Sequence, residues 1–256
     1  MKNLFAASFA GLLLSSGVAA AADLPMKAWS APVQSNLWSG CYVDGGGGYG
    51  LSNDDTYSET TAGLVPTSVT TTFGSRGWYG QAGAGCDYQA TQHFLVGAFG
   101  DYNFMNLHGQ FMDPLSGVVG EQKETDAWAA GGRLGYIVTP ALMGYINGGY
   151  TQASFDQINF SSLTGGGPVG EDIAKTTYAG WFLGGGTETS LSGVLGLGLP
   201  SGLFLRSEYR YATYSPKDDA IVVTSTGAAT GTSDHVSKYV QTIGASLVYK
   251  FGWPGL

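Results

Sequence analysis

The chain has 256 residues and combines 42 glycines and many aromatics (15 Tyr, 12 Phe, 6 Trp) with only 12% charged residues and a formal charge of −8. So few charges would leave a soluble domain poorly solvated, and the acidic balance offers no electrostatic footprint for nucleic acid. The glycines keep no fixed period and the aromatics are too many for a fibrous or disordered chain.

The N terminus reads as an export signal. Met1 and Lys2 supply a charged start, Leu4 to Leu14 an apolar stretch, and Ala20-Ala21-Ala22 a small-residue cleavage site before Asp23. The apolar run is shorter than the roughly 20 residues of a spanning helix, so residues 1–22 are expected to be cleaved between Ala22 and Asp23 rather than to anchor the chain. Residues 23–36, which include Pro25 and Pro32, read as a periplasmic leader, and residues 37–256 as one domain.

Within that domain, two-residue alternation predicts strands at Leu37–Gly50, Gly77–Gln89, His93–Met105, Thr125–Val138, Ala141–Ala153, Thr176–Ser190, Gly202–Tyr214 and His235–Phe251. The Asp44–Gly50 run (DGGGGYG) belongs to the first strand. No Lys-Ser/Thr follows it, so a phosphate loop is a poor reading, whereas glycine lets the strands of a narrow barrel bend and pack closely. The joins alternate in length: residues 51–76 are long, 90–92 short, 106–124 long, 139–140 short, 154–175 long and 215–234 long. The long joins, rich in Ser, Thr, Gly and Asp, are expected outside the membrane as solvated, mobile loops. Leu191–Ser201 (LSGVLGLGLPS) departs from this rhythm, being long and apolar where a tight periplasmic turn is expected. It reads either as an extended hairpin end or as additional strand.

The closing strand carries the clearest pattern. Tyr239, Ile243, Ala245, Leu247, Tyr249 and Phe251 form a mostly apolar row, with a smaller, more polar row between them. A strand of this length crosses a bilayer when tilted. The expected fold is therefore all-β: an eight-stranded antiparallel transmembrane β-barrel, with ten strands as the alternative if Leu191–Ser201 joins the wall.

Alternation also assigns faces. Phe94, Val96, Ala98 and Tyr102 face lipid, which turns Asp101 inward. Trp128, Ala130, Leu134 and Tyr136 do the same for Arg133. Trp181 and Leu183 lie opposite Glu188, and Leu205, Tyr209 and Tyr211 lie opposite Arg206, Glu208 and Arg210. Three acids (Asp101, Glu188, Glu208) and three bases (Arg133, Arg206, Arg210) are thus expected to satisfy one another inside an eight-stranded barrel, whose lumen is only wide enough for side chains. This network is either a structural plug or the constriction of a narrow polar passage.

Cys41 and Cys86 fall near the periplasmic ends of the first two strands, on the lipid-facing side and at one height. Either a cross-strand disulfide or two thiols among apolar neighbours fits that placement. His93 and His108 bracket the third strand and are expected at its opposite ends, too far apart to share a metal. No cofactor and no metal is expected.

The runs WSGCYVDGGGGYG (Trp38–Gly50), GGRLGY (Gly131–Tyr136), GWFLGGGTE (Gly180–Glu188), RSEYRY (Arg206–Tyr211) and GASLVYKF (Gly244–Phe251) together resemble the alphaproteobacterial outer-membrane immunogenic proteins, porin-family relatives of the OmpA-type eight-stranded barrel. The resemblance covers nearly all of the exported chain. It implies an integral outer-membrane protein of Gram-negative cells without catalytic residues, with a structural and surface-interaction role. Its partners would be outer-membrane lipid and lipopolysaccharide, the barrel-assembly machinery, and an extracellular ligand or host surface at the outer loops. A small diffusion pore for ions or solutes is the alternative. A remoter one rests on Asp54-Asp55 and Asp234-His235, which resemble the acid and Asp-His pairs of the omptin proteases.

Overall fold

The computed structural model describes residues 38–113, 115–192, 199–200 and 202–251. The predicted signal with its Ala22/Asp23 junction and the leader lie outside the described residues. Eleven strands are formed: β1 (Gly40–Thr60), β2 (Thr71–Gln89), β3 (Phe94–Met112), β4 (Val118–Thr139), β5 (Leu142–Phe155), β6 (Ile158–Ser162), β7 (Pro168–Ile173), β8 (Thr176–Ser190), β9 (Leu203–Tyr214), β10 (Lys217–Val223) and β11 (Ala229–Phe251). All pairings are antiparallel.

The pairings close two rings, not one. In the first, β1, β2, β3, β4, β5, β8, β9 and β11 follow one another and β11 returns to β1. β8 and β9 pair directly from Gly180↔Tyr214 to Ser190↔Phe204, so this wall has eight strands, not ten; most of the 191–201 join lies outside the described residues. A bilayer demands such closure, since no water there can satisfy an open strand edge.

The second ring stacks on the outer end of the first. β1 to β4 and β11 run on past β5, β8 and β9, and the gap those short strands leave is filled by β6, β7 and β10. β6 pairs with β4, β7 with β6, β10 with β7 and β11 with β10. The expectation of mobile outer loops is corrected accordingly. β1 continues ten residues beyond Gly50 to Thr60, β2 begins at Thr71 and β11 at Ala229, and the joins harbour three further strands.

Outward faces carry the lipid-facing residues that alternation assigns. Leu134, Ile146, Leu183, Leu205, Ile243 and Leu247 are exposed apolar side chains, flanked by Tyr88, Phe94, Tyr136, Tyr249 and Phe251 at the short-turn end and by Trp78, Phe104, Trp128, Tyr150 and Trp181 at the other. These are the two aromatic girdles of a membrane barrel; short turns mark the periplasmic end.

The glycine run has a steric reason. A Cβ on Gly48 would lie 2.1 Å from the Ile243 carbonyl oxygen, and one on Gly46 equally close to that of Ala245. β1 and β11 approach too closely there for any side chain.

Candidate functional site

The lumen is filled in three tiers. At the periplasmic end Trp38, Tyr42, Leu95, Met143, Tyr145, Phe204 and Val248 pack together. In the outer half a second apolar cluster spans both rings, including Leu107, Phe111, Phe155, Phe160, Ile173, Tyr178, Phe182, Ile221, Val236 and Val240. Charged side chains occupy the level between and interleave with both clusters.

Each of the six charged residues expected in the lumen takes part. Glu188, fully buried, accepts from Arg133 Nη1 and Arg206 Nε on Oε2, each at 3.1 Å. Arg210 grips Asp101 with two bonds, Nη1 to Oδ1 at 3.0 Å and Nη2 to Oδ2 at 2.8 Å, and reaches Glu208 Oε1 at 2.8 Å. Glu208 Oε2 accepts from the Tyr145 hydroxyl and the Asn147 amide, both at 2.8 Å.

Three further members complete the network. Asp87 takes both Nε (2.8 Å) and Nη2 of Arg133, Asp44 accepts from Arg206 Nη1 at 3.1 Å, and Lys250 Nζ bridges Glu188 Oε1 (2.6 Å) and Asp87 Oδ2 (3.1 Å). Alternation along the chain carries the signal for all three. Lys250 sits in the polar row of the closing strand, Asp87 alternates with the outward Cys86 and Tyr88, and Asp44 with the outward Val43. Aromatic faces line the cations: Tyr42 lies 4.7 Å from both the Arg133 and the Arg206 guanidinium, and Phe182 4.5 Å from that of Arg210. Bidentate, desolvated pairs of this kind are strong and geometrically demanding.

A second polar cluster lies in the outer half. Lys238 Nζ pairs with Asp54 Oδ2 and Gln122 Oε1, both at 3.1 Å, beneath the rings of Phe155 (4.5 Å) and Tyr178 (5.1 Å). Nearer the mouth, the Ser58 hydroxyl lies 2.6 Å from Asp113 Oδ1 and 2.9 Å from Asp234 Oδ1. One hydroxyl proton serves one carboxylate at a time. Burial, reinforced by Asp113, accordingly pushes Asp234 up to about 7.

Strand alternation separates the protease-like constellation. Asp54 and Asp234 point into the lumen, where they engage Lys238 and Ser58, while Asp55 bonds Thr72 and His235 contacts Asp218 on the outer face. The wall stands between the acids and the imidazole. His93 lies beside the backbone carbonyl of Ile137 at the periplasmic end, and His108 beside Glu121 in the outer half of β3.

Cys41 and Cys86 are direct partners in the β1–β2 register, with a Cα separation of 3.9 Å and their sulfurs joined as a disulfide. The pair sits near the periplasmic rim.

Among the described residues, three interior voids beside the polar clusters are small. One bordered by Glu124, Thr151, Arg210 and Tyr214 holds about 30 Å3, and two others, beside Arg206 and beside Lys238, about 10 Å3 each. The first suffices for about one water molecule. On the outside, by contrast, an open groove of about 820 Å3 runs along β3, β4 and β6 where β5 leaves the wall, bordered by His108, Glu121, Lys123, Gln157 and Asn159.

No family model matches the chain. Two curated relatives are similar over most of it: the 31 kDa outer-membrane immunogenic proteins of Brucella melitensis biotype 1 and Brucella suis biovar 1, each 26% identical over 229 residues, or 82% of this chain and 86% of theirs. Among solved structures, the outer membrane protein OprG of Pseudomonas aeruginosa shares the fold with a TM-score of 0.50 at 13% identity, covering 83% of this chain and 97% of that one. Fold, girdles and relatives agree on an outer-membrane β-barrel.

Proposed function

We propose that this outer-membrane β-barrel, a relative of the Brucella immunogenic proteins, is a closed scaffold that displays an ordered extracellular ring and neither conducts nor catalyses. The observation that carries this reading is the filled lumen: two apolar clusters with an ion-pair network between them, and voids of about 30 Å3 or less beside the network. A hydrated ion crossing it would have to break several desolvated pairs at once. The six charges Asp101, Arg133, Glu188, Arg206, Glu208 and Arg210, with Asp44, Asp87 and Lys250, serve as a structural plug, and the Cys41–Cys86 bridge fastens the first hairpin.

The working surface is then the outer ring and the polar groove on its flank. Lipopolysaccharide packs around the wall above the outer girdle, the barrel-assembly machinery inserts it, and an extracellular ligand or host surface meets the rim. Electrical recording decides between scaffold and pore. The protein refolded into a planar bilayer, its folded state confirmed by the heat-dependent shift on SDS gels, is expected to give no conductance steps. Stable steps that change size in Arg133→Ala would make the network a constriction and the protein a pore.

A further inference from the structure

On the outer face of the second ring, three strands bring an imidazole and two carboxylates together. Tyr57 of β1, His235 of β11 and Asp218 of β10 are register partners in one row across the wall. Glu59, two residues along β1 on the same face, completes the set, and one ligand atom from each of Glu59, Asp218 and His235 lies within 4.8 Å of the others. His235 Nδ1 is 2.5 Å from Asp218 Oδ1, and its ring stacks on Tyr57 at 4.8 Å and 20°, which fixes the plane of the imidazole.

Glu59 gives the cluster its significance. It is only 2% exposed, under the Pro66 segment that bridges back to it, and among the described residues it has no Lys or Arg partner. The hydroxyl of Ser233 reaches it at 3.5 Å, the outer limit of a hydrogen bond. A carboxyl this buried stays ionised only beside a counter-charge; without one, burial and the neighbouring Asp218 raise it above the usual carboxylate range. Asp218 beside it adds a second negative charge. Asp218 and His235 keep about a third of their side-chain surface in solvent, so an ion can enter and retain open coordination positions.

We propose that Glu59, Asp218 and His235 bind one divalent first-row transition metal ion, which ties β1, β10 and β11 together on the outside of the cell. One nitrogen and two oxygen donors suit Zn2+, whose bonds to His and carboxylate run at about 2.0–2.2 Å. They do not suit Ca2+, which takes an all-oxygen shell. Ligands around such an ion stand roughly 3 Å apart, so Glu59 moves in and the Asp218–His235 contact relaxes slightly. The site needs none of the lumen residues and is independent of whether the barrel conducts.

Calorimetric titration of the refolded, untagged protein in detergent with Zn2+ tests the proposal. One ion per chain is expected, with affinity at least tenfold weaker in both Glu59→Gln and His235→Gln, and no competition from Ca2+. Because those residues contribute to the outer wall, folding of each variant is checked by its heat-dependent gel shift, and Asp218→Asn on the short strand β10 serves as a third, milder change. If wild type shows no saturable binding, or folded variants bind as wild type does, the metal site is refuted.

Discussion

Replacing Arg133 by alanine is expected to lower the unfolding free energy by about 3–5 kcal/mol, the range for breaking a buried ion pair by removing one partner. Its guanidinium is buried, donates twice to Asp87 and once to Glu188, and lies over the Tyr42 ring. Alanine leaves Asp87 and Glu188 in a desolvated lumen with Lys250 shared between them and Arg206 on Glu188 alone. Arg133→Lys keeps the charge but loses the planar fork, so part of the loss should remain. Combining Arg133→Ala with Asp87→Asn should recover stability relative to the single variant, since the stranded charge is what costs most. Urea unfolding in lipid vesicles, followed by tryptophan fluorescence and the gel shift, reads all three. A change within about 0.5 kcal/mol, typical of a surface position, would mean that the network does not hold the barrel.

Lys238→Met is expected to have an effect of similar size, about 3–5 kcal/mol, at the other end of the lumen. Methionine matches the length of the lysine stem and can still pack against Phe155 and Tyr178, so little of the loss is apolar. What it leaves behind is Asp54, 1% exposed, with Ser52 and Gln122 as its remaining neighbours. Asp54→Asn in the Lys238→Met background should therefore restore most of the stability, because a neutral amide can share hydrogen bonds with Gln122 at no charge cost. The same unfolding measurement, arranged as a double-mutant cycle, gives the coupling directly. Independent, additive losses would show that the two residues are not a pair in the folded protein.

These two residues also mark how much of the molecule was legible in the sequence. Arg133 was, because it sits in a strand whose other face is a row of Trp128, Leu134 and Tyr136, and a strong apolar contrast fixes which side is the lumen. The same contrast marks all eight wall strands and is what assigns the six charges to the inner face. Lys238 and Asp54 were not. In the outer half of β1 the inward residues are Ser52, Asp54, Thr56 and Ser58 and the outward ones Asn53, Asp55 and Tyr57, so both faces are polar and a two-residue period leaves no trace in hydropathy. Asp54-Asp55 consequently read as part of a solvated outer loop, although a strand sends the two to opposite sides of a wall. The three strands missed altogether, β6, β7 and β10, are five to seven residues long. Their Gly, Pro, Ser and Asp content imitates turns, and their partners on β4 and β11 are named only by the closure of the ring. Lys250 was within reach, since it lies in the polar row of the best-patterned strand.

The extracellular half is a second closed ring continuous with the membrane wall. Hydrogen–deuterium exchange of the protein in lipid nanodiscs tests it most directly. The amides of β6, β7 and β10, and the extensions of β1 (51–60) and β11 (229–238), should exchange far more slowly than the connections at 61–70 and 224–228, as paired strands do and loops do not. If residues 158–173 and 217–223 exchange as fast as those connections while the membrane strands stay protected, the outer half is a set of loops on a single ring, and the closed ring is wrong.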